Sequence, residues 1–134
     1  MRTHVMVFLA LLAAPHPASA TQVSVSRLID PDRLYEGRES LAYATLAESI
    51  WAERLGRDPN DFESAWKLAR ARYWLGGRAP SGERKARLEA GIEAGRTAVA
   101  LQPTRPEGHF WIAANMGVLA ESFGRLEGLR YRGP

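Results

Sequence analysis

The chain has 134 residues, 46% of them hydrophobic and 25% charged, with four Trp, four Tyr and four Phe. That length fits one domain, and the composition is globular, neither disordered nor fibrous. The absence of cysteine excludes a disulfide scaffold, a cysteine nucleophile and a thiolate metal site, and a net charge of +3 without a long basic run leaves no nucleic-acid footprint.

Residues 1–20 read as a cleavable export signal. Arg2 supplies a positive start, Val5 to Ala14 forms an apolar run, and Ala18-Ser19-Ala20 places small residues where a signal peptidase reads. The run is too short to span a bilayer, which takes about 20 residues. No cysteine follows it, so lipid attachment is not expected, and the expected location is the periplasm. Residues 21–30 alternate polar and apolar and read as a linker. Residues 31–134 read as the folded domain.

Asp30-Pro31 is expected to open a short helix through Glu36, closed by Gly37. A helix over Glu39 to Leu55 is bounded by Gly56 and Pro59. A second long helix is predicted over Asn60 to Leu75, stopped by Gly76-Gly77, with residues 76–82 as a turn-rich insertion. The third is predicted from about Glu83 to Leu101, ahead of Pro103. The fourth is predicted from Thr104 to Phe123, ended by Gly124. No segment combines strand alternation with β-branched enrichment, so the expected class is all-α.

A shift of 44 residues aligns the chain with itself. Pro59 falls on Pro103, and the expected N-caps Asn60 and Thr104 each precede a glutamate three residues on, Glu63 and Glu107. Trp66 then falls on Phe110, Leu68 on Ile112, Ala69 on Ala113 and Leu75 on Leu119. A helix hairpin followed by proline is the grammar of a tetratricopeptide repeat, whose period is about 34 residues. The excess is assigned to a longer hairpin turn over GGRAPSGERK. Two small-residue stripes, Gly91/Gly95/Ala98 and Ala113/Gly117/Ala120, are expected to mark close helix–helix approach.

The segment 103–134, with Glu107-Gly108-His109-Phe110-Trp111 followed by Asn115 and Gly117, resembles the bacterial tetratricopeptide-like T-component (TatT) family of TRAP transporters. The stretch Asp58 to Arg70 (DPNDFESAWKLAR) is similar to that family as well. The resemblance implies antiparallel helix hairpins in a short right-handed solenoid, and a role beside a transporter's solute-binding protein. Members often carry a lipid-attachment cysteine, which is missing here, and continue with further helices. The repeat that begins at Thr104 has no second helix, so a C-terminally incomplete domain is expected, with self-association through the uncovered face.

First helices of such hairpins line the concave surface. By register, Trp66, Arg70, Tyr73 and Phe110 are expected to face a partner-binding groove, with Asn115 adding an amide donor. An arginine among aromatic rings suits a carboxylate, because its planar fork bonds in pairs and stacks on rings. The other reading is that Trp66, Trp74, Phe110 and Trp111 are simply core, as helical aromatic stripes usually are. His109 is the only histidine beyond residue 20 and diverges from Glu107 by about 200° around a helix, so neither a zinc site nor an acid–base pair is expected. No nucleophile elbow or phosphate-cradling loop occurs. The expected function is therefore an exported protein-binding scaffold, without catalytic residues, metal or cofactor. The alternatives are a carrier of a small apolar or organic-acid ligand, and an enzyme whose catalytic groups lie in missing C-terminal helices.

Overall fold

A computed structural model describes residues 29–124 and Arg130. The predicted export signal and most of the linker lie outside the described residues, as do residues 125–129 and 131–134. Five helices follow one another: α1 (Pro31–Glu36), α2 (Leu41–Arg57), α3 (Phe62–Arg78), α4 (Ser81–Leu101) and α5 (Pro106–Phe123). Among the described residues there is no strand, so the chain is all-helical as expected.

Each helix packs on the next, and α3 also packs on α5. The core follows from that arrangement. Trp51, Leu68, Ala69, Ala71 and Ala94 form one buried cluster across α2, α3 and α4. Leu88, Ile92 and Leu119 form another between α4 and α5. The 44-residue period survives in the helix boundaries: α3 and α5 start at Phe62 and Pro106, while α2 and α4 end at Arg57 and Leu101.

Several boundaries differ from expectation. Helix α3 does not stop at Gly76-Gly77 but runs through both to Arg78, and α4 begins at Ser81. The connection is only Ala79 and Pro80, so the ten extra residues of the repeat lengthen two helices and not the turn. Gly76 serves packing here: a Cβ on it would stand 2.7 Å from Leu88 Cδ2. The N-caps also move by one residue. Asp61, not Asn60, caps α3, accepting from the Ser64 amide at 2.9 Å and the Ser64 hydroxyl at 2.6 Å. Arg105, not Thr104, precedes α5, and Pro106 opens that helix without a side-chain cap. Pro106 brings a preset φ and lacks an N–H needing a partner, which reduces the need for one.

The first glycine stripe lies at the α4–α5 contact. A Cβ on Gly95 would meet Ile112 Cγ1 at 2.7 Å, and one on Gly108 would meet the Val99 amide at 2.9 Å. The second stripe differs. Gly117 has nothing within 4 Å of a would-be Cβ, and Ala113 is exposed, so no neighbour among the described residues fills that face.

Candidate functional site

A cleft of about 400 Å³ opens where α1 and the turn after it meet α3 and α5. Asp32, Tyr35, Glu36 and Arg38 form one wall; Arg70, Tyr73 and Trp74 form the floor, and Trp111 closes the α5 side. Its volume lies within the range of ligand-sized sites.

Helix α1 is short, so side chains fix its position. Tyr35 is buried and packs on Trp51, with ring centroids 5.7 Å apart. Its hydroxyl donates weakly to the Arg70 carbonyl at 3.5 Å. The Trp74 indole donates to the Arg38 carbonyl at 3.2 Å, which ties α3 to the turn after α1. Asp32 accepts from Lys67 Nζ at 2.8 Å and pairs with Arg70 at 3.5 Å.

Cations and rings alternate along α3 past both ends of the cleft, with Arg78 outside its lining. Arg70, Trp74 and Arg78 are spaced four apart and share one face of α3. The Arg78 guanidinium carbon stands 3.1 Å from the Trp74 centroid, and that of Arg38 stands 4.7 Å from the same ring. Arg38 and Arg70 lie over Tyr35 at 5.0 and 4.1 Å, and Arg70 and Lys67 over Trp66 at 5.0 and 5.5 Å. One ladder thus runs Arg78, Trp74, Arg38, Tyr35, Arg70, Trp66, Lys67. Pairs of this kind contribute about 0.5–2 kcal/mol each according to exposure.

Arg70 is the best-enclosed cation of the ladder. Its Nε is buried without a hydrogen-bond partner. Burial lowers its pKa from the ordinary arginine value, while Tyr35 and Asp32 oppose that shift. It remains a guanidinium, since arginine keeps its proton in proteins. Burial also raises the Tyr35 phenol, against the pull of Arg70 and Arg38. Asp32 answers both Arg70 and Lys67, and Glu63 also pairs with Lys67 at 3.6 Å. Among the described residues, neither Arg38 nor Arg78 has a carboxylate within ion-pair distance. The cleft therefore sets two guanidinium groups, Arg38 and Arg70, and two carboxylates, Asp32 and Glu36, beside aromatic faces, an arrangement suited to a polar group that carries a flat apolar part.

The residues expected in a groove separate on this geometry. Arg70 and Tyr73 line the cleft together. Trp66 lies beneath Arg70 and packs on the cluster of Phe62, Ala65 and Ala98. Phe110 is 61% exposed and meets Trp111 edge-on at 4.8 Å, outside the lining. Asn115 is fully buried; its amide donates to the carbonyls of Ala69 at 3.2 Å and Trp111 at 2.7 Å. His109 shares a 2.8 Å hydrogen bond with the Pro103 carbonyl, in the turn before α5. Sequence reasoning missed Arg38, Trp74 and Trp111 as lining residues. The spacing of Arg70, Trp74 and Arg78 was a usable signal; nothing local placed Arg38 against Trp74. No group of three or more acidic or histidine side chains among the described residues is placed to hold a metal ion. No family model, curated protein or solved structure matches this chain.

Proposed function

We propose that the protein is an exported tetratricopeptide-like scaffold that binds a protein partner in the periplasm through the cleft between α1, α3 and α5. The observation that carries this reading is the cleft itself, where Arg38, Arg70 and Tyr73 meet Trp111. The resemblance of residues 31–134 to the T-component family supports a narrower role, docking the solute-binding protein of a TRAP-type transporter. The preserved 44-residue spacing of helix boundaries supports the repeat reading. Self-association belongs to the same proposal, supported by Phe110 and Phe123 standing exposed on α5.

The test is a cross-linked pull-down of the tagged protein from its native envelope, read by mass spectrometry. The scaffold reading expects one dominant envelope protein, lost on Tyr73→Ala with the helical signal intact. A solute-binding protein in that position supports the transporter role; another envelope protein removes that role and keeps the scaffold. Absence of any partner, with ligand-dependent quenching of tryptophan fluorescence, would establish the small-molecule carrier instead.

A further inference from the structure

We infer that the cleft also takes a free zwitterion of the aromatic amino-acid class, its ammonium on Glu36, its carboxylate on Arg38 and its ring against Tyr73 and Trp111. The inference goes beyond the partner reading and stands without it, since all four residues line this one cleft. A ligand held there competes with a protein partner for the same surface.

Charge decides the headgroup. The lining carries two carboxylates, Asp32 and Glu36, and two guanidinium groups, Arg38 and Arg70, so its charges balance. Asp32 and Arg70 answer each other at 3.5 Å, with Lys67 on the same carboxylate. Glu36 and Arg38 remain. Among the described residues neither has an ion-pair partner, and they do not pair with each other. Arg38 donates one N–H to the Tyr35 carbonyl at 3.3 Å and keeps the other donors of its fork. Two residues span at most about 7 Å of backbone, so both long side chains can reach one small headgroup. A lone cation would be repelled by Arg38 and Arg70, and a lone anion by Asp32 and Glu36. A ligand with both charges gains from each sign.

Ring exposure decides the body. Trp74 already carries Arg38 and Arg78 over its ring, at 4.7 and 3.1 Å. Tyr73 and Trp111 are only half-buried, and their rings are tilted by 52° with centroids 5.5 Å apart. That angle leaves aromatic surface on which a third ring can pack edge-on or offset. The volume of about 400 Å³ lies at the small end of ligand sites and suits a ligand of amino-acid size.

The test is isothermal titration calorimetry on the purified protein with phenylalanine, N-acetylphenylalanine, phenethylamine and alanine. Phenylalanine has both charges and the ring; each of the others lacks one of the three. Phenylalanine should bind at least about tenfold tighter than any of them. Glu36→Gln should remove the preference over N-acetylphenylalanine, and Arg38→Gln the preference over phenethylamine, with circular dichroism matching the wild type. Glu36 is exposed and has no ion-pair partner among the described residues, so its variant tests the inference even where Arg38→Gln disturbs the packing on Trp74. Phenylalanine matched by any one of the other three, no binding of phenylalanine, or a Glu36→Gln variant that still rejects N-acetylphenylalanine would overturn the inference. Each such failure leaves capture of an envelope partner through Tyr73 as it stands, so the two readings fail separately.

Discussion

Asn115 on α5 donates its side-chain amide to the carbonyl of Ala69 on α3, 46 positions earlier, at 3.2 Å. The same side chain is pressed against Gly91 of α4, where an added Cβ would stand 2.7 Å from its Cγ and 2.8 Å from its Nδ2. Three helices thus meet on one buried amide, which stabilises the wall behind the cleft and is not itself presented to a ligand.

That junction makes Gly91→Ala costly. The methyl has no space unless Asn115 gives up its two hydrogen bonds, so the expected loss is about 1–3 kcal/mol, the range of an overpacked core. Gly77→Ala and Gly117→Ala meet nothing within 4 Å and should be neutral or stabilising by up to about 1 kcal/mol. Urea unfolding of the three variants checks this. Equal midpoints for all three would contradict the close approach.

Part of this was legible in the sequence. Asp30-Pro31 and Gly37 mark the ends of α1, and Gly124, with φ of 95°, closes α5 where a glycine stop was expected. Gly76-Gly77 misled because glycine answers two different needs. As a chain-local signal it terminates helices; at Gly76 the need is room for Leu88, a contact that exists only once α3 and α4 have packed. Asn115 misled for a related reason, since its register identifies a face while burial depends on the neighbouring helices. Helical spacing puts Arg70 and Tyr73 near one face of α3, and both line the cleft. Arg38 follows a short helix and reaches Trp74 from 36 residues away, beyond any periodic argument.

Glu48 joins three helices through charge. Its two carboxylate oxygens accept from Arg72 at 3.2 Å and Arg87 at 2.9 Å, and its side chain is 17% exposed. Glu48→Gln leaves one acceptor for two guanidinium groups. The expected cost is about 1–2 kcal/mol, reduced from the fully buried case because both arginines are partly in water. Chemical denaturation should show a lower midpoint with an unchanged slope.

Tyr35 gives the fold an alkaline limit. Its phenol is raised above the ordinary 10.0 by burial, so the folded state holds the proton more tightly than the unfolded chain. The stability that this contributes is fully present below pH 10 and is lost as pH rises through the raised value. Tyrosinate absorbance at alkaline pH should show one lagging phenol that ionises together with unfolding. Tyr35→Phe should remove that lagging component.

The account's central claim is that a protein partner occupies the cleft. The most direct measurement replaces Tyr73 with a photoreactive amino acid in living cells and, separately, places the same group at the exposed Gly117 of α5. The account predicts light-dependent cross-linking to one envelope protein from position 73, and little or none to that protein from position 117. Capture of the same partner only from position 117 would contradict it, because the partner would then bind the outer face and leave the cleft empty.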